Sequence, residues 1–181
     1  MVNCRIRFKN GREKNSIGAS SPAGAGRWLI TIAVMFGAFI SVMDVSVVNV
    51  ALPHMMGSFG QDLSSINWIS TAYSIAEIIT ITMTGWLSTL IGRKRLYLGS
   101  FVLFTSASIM CGTARSFAEI LTFRTLQGMG GGNLIPVSQA ILRETFPPEE
   151  QGMAMAAFGI GVVITPAFGP VLGGWLTDHY G

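Results

Sequence analysis

Half of the 181 residues are hydrophobic and 12% are charged, against roughly 25% charged in ordinary soluble domains. The net charge of +3 comes from basic clusters set beside long apolar runs, a pattern that membrane orientation explains and that excludes nucleic-acid binding as the reason for it. Cys4 and Cys111 share no CxxC spacing, and His54 and His179 stand alone near loop ends, so no disulfide framework, metal site or cofactor site is indicated.

Residues 1–27 carry Arg5, Arg7, Lys9, Arg12, Lys14 and Arg27 among Gly, Ser and Asn. This composition predicts a disordered basic cytoplasmic tail. The apolar stretch that follows is too long for a signal-peptide core and has no small-residue cleavage site before Asp44. The first predicted span, 28–52, contains Asp44 and is expected to stop at Pro53, since proline cannot continue the hydrogen-bond ladder. A second span, 67–90, opens on Trp68 and contains Glu77. The loop Ile91-Gly92-Arg93-Lys94-Arg95 leads into a third span, 96–114, free of charge. Arg115 to Ala118 turns the chain into a fourth span, 119–142, which holds Arg124. After a charged, proline-containing loop, the fifth span, 152–177, is again uncharged.

The fold class is therefore all-α membrane, with five transmembrane helices in residues 28–181. Arg115 is the one basic loop residue on its side, whereas the tail, the Arg93-Lys94-Arg95 loop and Arg143 share the other. The positive-inside rule predicts a multi-pass protein with a cytoplasmic N terminus.

Ionisable groups inside spans cost about 2.5–3.5 kcal/mol each on insertion scales, so each is a functional candidate. At about 1.5 Å per residue, Glu77 falls near the midplane, while Asp44 and Arg124 both lie roughly 6–8 Å toward the outside and could meet there. These groups read either as a proton or cation relay facing water, or as a buried ion pair that fixes packing. Glu77 has no local cation, which makes it the stronger candidate for taking up and releasing a proton, and its carboxylate would also attract a basic or ammonium-bearing compound.

The fifth span carries Ala157, Gly161, Thr165, Gly169 and Gly173 at intervals of four, a stripe that lets helix backbones approach closely. Pro166 and Pro170 remove hydrogen bonds from the same helix and predict a bend. The pattern reads as a structural kink or as a seam that controls cavity opening. On the fourth span, Arg124, Gly128 and Gly132 share a face with Gln127 beside it. The Gly130-Gly131-Gly132 run is not a phosphate loop, because no strand precedes it and no GK[ST] follows.

Taken in order, Met43-Asp44-Val45-Ser46-Val47-Val48-Asn49-Val50-Ala51-Leu52-Pro53, the loop Gly85 to Arg95, Arg124-Thr125-Leu126-Gln127-Gly128 and Gly169-Pro170-Val171-Leu172-Gly173-Gly174 resemble four motifs of the major facilitator superfamily. The resemblance is nearest to its fourteen-span drug:proton antiporters of the EmrB/QacA type. It implies alternating access by two rocking bundles and proton-coupled multidrug efflux. Asp44, Glu77, Arg124 and Gln127 would lie in the proton or substrate path. Gly85, Gly92, Arg93, Gly128, Pro166, Gly169, Pro170, Gly173 and Gly174 would be structural gating positions. Implied partners are the lipid bilayer, hydrophobic or cationic small molecules, protons and, in a Gram-negative host, a periplasmic adaptor with an outer-membrane channel. The implied location is the inner (plasma) membrane. Thr89 stands where the loop motif has an acid, so the family's carboxylate latch is not assigned here. Five helices cannot rock as two bundles, so the chain is expected to be an incomplete N-terminal portion. The alternatives are a transporter of a physiological metabolite and a non-transporting membrane remnant or interaction protein.

Overall fold

The computed structural model describes residues 24–180. Among them are five long helices and one short one: α1 (Gly24–Phe59), α2 (Leu63–Ile66), α3 (Trp68–Ile91), α4 (Arg93–Gly112), α5 (Phe117–Thr145) and α6 (Pro148–Tyr180). The basic tail expected over 1–27 lies outside the described residues up to position 23. Its last four residues differ from expectation by forming the first turn of α1, where Thr31 donates a hydrogen bond to the Arg27 carbonyl at 2.9 Å.

Pro53 does not end the first helix. The chain remains helical through it to Phe59, because a proline removes a single ladder bond, which a long apolar helix can sustain. The stop comes at Gly60, whose φ of 59° suits a residue without a Cβ. Gln61 N–H then caps the Met56 carbonyl at 3.2 Å, a Schellman-type ending. Asp62 next caps α2, its carboxylate accepting from the Ser65 N–H at 3.3 Å.

The turn between α3 and α4 is a single residue. Gly92 has φ 86°; its N–H donates to the Ser88 carbonyl at 3.1 Å and its carbonyl accepts from Leu96 at 3.0 Å. A residue shared by two helices at positive φ is a place for glycine. The next turn is capped in both directions: Ser116 Oγ accepts from the Glu119 N–H at 3.3 Å, and Glu119 accepts from the Arg115 N–H at 2.9 Å, in the manner of a capping box. Helix α6 starts with Pro148, where its missing N–H costs nothing, followed by Glu149 and Glu150 in the first turn, where carboxylates suit the helix dipole.

By length and apolarity α1, the α2–α3 segment, α4 and α6 each qualify to cross a membrane, and their large apolar residues, such as Val163 and Val102, are outwardly exposed. Helix α5 is more polar because it is the inner helix. It packs against α3, α4, α1 and α6, and its buried residues include Arg124, Gln127, Asn133 and Ser138. The other principal packing pair is α1 with α6. Tyr73, Phe104, Leu134 and Val137 centre one apolar cluster; Ala38, Leu142, Ala154 and Phe158 form another, and Val48, Ile66, Ile69 and Ile120 a third.

Candidate functional site

Arg124 on α5 and Asp44 on α1 meet at 2.7 Å between guanidinium and carboxylate, with side chains 7% and 15% exposed. The pair joins α1 to α5 through residues 80 apart in sequence. In such a site, removing either partner would strand the other charge away from water. Gln127 lies one turn along α5 and is fully buried, its Oε1 accepting a long contact of 3.7 Å from the Cys111 thiol. Among the described residues, Arg124 Nε, Gln127 Nε2 and the buried Tyr73 hydroxyl find no hydrogen-bond partner.

Glu77, half-buried on α3, does not join this ion pair. It lines a cavity of about 280 Å³ with Ser41, Val42, Val45, Ser46 and Asn49 of α1, Ile135 of α5 and Pro166 of α6. Residues 41 and 45 of the wall flank Asp44 on α1, so the cavity and the ion pair are neighbours along one helix. Its mainly apolar wall carries a few oxygen-bearing side chains. Asn49 Oδ1 accepts from Ser70 at 3.4 Å, and Ser46 Oγ donates across the seam to the Pro166 carbonyl at 3.1 Å.

The glycines on α5 admit neighbouring helices. A Cβ at Gly132 would lie 2.6 Å from the Glu77 carbonyl oxygen, and one at Gly128 would run into the Tyr73 carbonyl and lie 3.1 Å from Ala76, so both faces are set directly on α3. Gly130 does the same for α4, where a Cβ would meet Phe104 N at 2.7 Å. The path of α3 past Gly132 carries Glu77 itself, so that glycine fixes how close the carboxylate-bearing helix comes.

The small-residue stripe on α6 faces α1. Thr165, Gly169 and Gly173 are buried; a Cβ at Gly169 would collide with Ser46, one at Gly173 would lie 3.3 Å from Val50 Cβ, and one at Gly161 would lie 3.2 Å from Met35 Cε. Ala157 departs from the stripe: it is exposed, and Ala154 and Phe158 take the buried positions at that end. Helix α6 remains helical through Pro166 and Pro170. A Cβ at Gly174 or Gly85 would meet nothing within 4 Å, so neither glycine is required by close approach.

Arg93 is ion-paired with Glu144 at the far end of α5, with both side chains well exposed. Thr89, in the place of the family's acid, donates to the carbonyl of Trp86 at 2.7 Å on its own helix. The loop arginine thus finds its carboxylate on α5 and none at position 89.

Several buried polar residues carry no signal in the sequence pattern. Asn133 accepts from Thr84 at 2.7 Å and donates to Ser100 at 3.1 Å, bridging α3, α5 and α4. Ser138 donates to the Val34 carbonyl at 3.2 Å and to the Leu134 carbonyl at 2.5 Å, and Tyr97 donates to the carbonyls of Ala33 and Val34 at 3.2 and 3.3 Å. Two others could have been found from spacing: Tyr73 lies four residues before Glu77 and Ser41 three before Asp44, which places each on the face of its helix that carries the acid.

Comparison with known proteins gives a consistent picture. Residues 34–181 match the family described as the Major Facilitator Superfamily. The chain is 40% identical over 160 residues to the "Multidrug export protein EmrB" of Haemophilus influenzae, covering 87% of this chain and 31% of that protein. It is 38% identical over 157 residues to the protein of the same name from Escherichia coli K12, with the same coverages. The "Fatty acid resistance protein FarB" of Neisseria gonorrhoeae is 34% identical over 157 residues, again 87% of this chain and 31% of the relative. The chain therefore spans about a third of the length of these relatives. Among solved structures, an inward-facing bacterial homolog of the human lysosomal transporter Spinster superposes with a TM-score of 0.71 at 18% identity, covering 85% of this chain and 32% of that one, a likeness of fold.

Proposed function

Because the chain belongs to the Major Facilitator Superfamily and is a multi-pass membrane protein, we propose that its helices supply the proton- and substrate-handling bundle of a proton-coupled exporter of hydrophobic, cationic compounds. The observation that carries this reading is Glu77, the one carboxylate on the wall of a mainly apolar cavity among α1, α3, α5 and α6, next to the Asp44–Arg124 pair. An ionised Glu77 attracts a cation into a cavity otherwise lined by hydroxyls, an amide and aliphatic groups. A protonated Glu77 no longer does, so proton and cargo exclude one another at a single carboxylate and proton uptake drives cargo release.

Asp44 and Arg124 serve as the second element. Their charges neutralise one another while Asp44 is ionised, and protonating Asp44 would free the guanidinium and loosen the contact between α1 and α5. Gln127, adjoining Arg124, belongs to this path. The Gly128 and Gly132 face holds α3 and Glu77 in register with it, and the α1–α6 seam with Pro166, Gly169, Pro170 and Gly173 is where the cavity wall can shift. In this reading the basic loops lie on the cytoplasmic side of the cell's inner membrane, and cargo moves outward as protons move in.

The test is transport by a protein that carries these helices in a complete transporter. Glu77→Gln should abolish pH-gradient-driven efflux of a lipophilic cation in membrane vesicles while leaving membrane insertion intact. Unaltered efflux and proton flux in that variant would remove Glu77 from the mechanism.

A further inference from the structure

In an α-helix each carbonyl accepts from the N–H four residues on. For Pro166 that residue is Pro170, which has no N–H. The Pro166 carbonyl is therefore released from its own helix, and the structure shows where it turns: Ser46 Oγ of α1 donates to it at 3.1 Å. Gly169 makes the approach possible, since a Cβ there would occupy the space of the Ser46 side chain. Both Ser46 and Pro166 line the cavity that Glu77 also lines. The cavity thus contains one carboxylate and one backbone carbonyl that the ladder does not claim, and the carbonyl is covered by a hydroxyl that can rotate about a single bond.

We propose that the Pro166 carbonyl is a hydrogen-bond acceptor for cargo, covered by Ser46 when the cavity is empty and taken over by an N–H of a protonated amine whose charge is balanced by Glu77. The inference rests on the reading of Glu77 as the cation-attracting carboxylate and adds a chemical preference to it. A primary ammonium carries three N–H donors and can serve the carboxylate and the carbonyl together. A quaternary ammonium carries the same charge and no donor, so it can use Glu77 alone. Ser46 competes with the amine for the carbonyl and therefore tunes affinity for donors without touching affinity for charge. Within a membrane span a carbonyl left without a donor is costly because no water replaces it, which is why a removable hydroxyl cover suits a site that must both fill and empty.

The experiment is equilibrium binding of hexylammonium and hexyltrimethylammonium to the chain in lipid nanodiscs by calorimetry. Pro170→Ala restores an N–H at position 170 that reclaims the Pro166 carbonyl. It should weaken hexylammonium binding about tenfold, the loss of one hydrogen bond to a charged group, and leave hexyltrimethylammonium unchanged. Ser46→Ala removes the cover and should strengthen hexylammonium binding about threefold, again without effect on the quaternary ion. Equal shifts of both ions in either variant would assign Pro170 and Ser46 to helix shape alone and overturn the inference, as would no shift in both. Glu77→Gln separates the two claims. If it weakens both ions while the other variants do not discriminate between them, the carboxylate reading stands and the carbonyl inference fails; if it weakens neither, both fail.

Discussion

The α5 joint with α3 and α4 and the α6 joint with α1 are built from the same small residues and used differently. Where α5 meets α3 and α4, glycines bring backbone against backbone, and the polar groups close on one another: Asn133 is bridged to Thr84 and Ser100 deep among three helices. Where α6 meets α1, the glycines bring backbone against side chains, two prolines interrupt the ladder, and the polar groups open onto a cavity. Small residues alone therefore do not distinguish a fixed joint from an adjustable one. The distinction lies in whether the opposing atoms are rigid backbone and whether the buried hydrogen bonds are all internal to the joint.

The strongest challenge to this division is the strut that spans it. Asp44 belongs to α1 and Arg124 to α5, so Asp44→Ala should strand a buried guanidinium and cost about 3–5 kcal/mol, read as a lowered unfolding midpoint of the chain in detergent. A change below about 1 kcal/mol, typical of exposed pairs, would show that water reaches the pair and that the two halves are not coupled through it.

A smaller effect compares the joints directly. At Gly132 an added methyl meets the Glu77 carbonyl oxygen at 2.6 Å, and backbone cannot easily yield; at Gly161 it meets the flexible end of Met35 at 3.2 Å. Overpacking costs about 1–3 kcal/mol, whereas replacing glycine with alanine inside a helix gains about 1 kcal/mol. Because the clash at Gly132 is with backbone, its cost falls at the upper end, so Gly132→Ala should destabilise by about 2 kcal/mol net, and Gly161→Ala should be neutral or slightly stabilising in the same unfolding assay. Similar losses at both positions would erase the distinction between the joints.

The smallest expected effect lies outside both joints, at Asp62. Hydrogen bonds from Ser64 and then Ser65 hold its carboxyl below the ordinary value of 3.8. A carboxyl depressed in the folded state adds stability above its unfolded pKa and loses it as pH falls through the folded one. The stability difference between the parent and Asp62→Ala should thus be present at neutral pH and fade below about pH 4. A difference that persists unchanged at pH 2 would mean the cap acts without its charge.

Much of the frame is legible along the chain. The apolar runs set the five long helices, and Gly92 announces a turn that only a residue without a Cβ makes easily. Arg124 and Asp44, as rare charges of opposite sign at one depth in their spans, point to each other on position alone. Pro53 misleads because the rule against proline weighs one hydrogen bond and not the many others of a long helix. Asn133, Ser138 and Tyr97 pass unnoticed because a polar residue in an apolar span reads alike whether its face turns to a helix or to lipid. The raised polarity of α5 carries the signal of an inner helix, but polarity alone does not say which neighbours it touches.

By itself, the sequence determined length, hydropathy, charge placement and backbone chemistry: where helices run, where they turn, and that Pro170 cannot serve the Pro166 carbonyl. Those are properties of single residues and their near neighbours. Only the tertiary structure decided that Ser46 serves that carbonyl, that Glu77 lines the cavity apart from the ion pair, and that Gly132 rests on the helix carrying Glu77. Such contacts depend on the rotation of each helix about its axis and its distance from the next, and a hydrogen bond tolerates errors of only a few tenths of an ångström. No run of apolar residues specifies a position that finely; the interlocking of all the helices does.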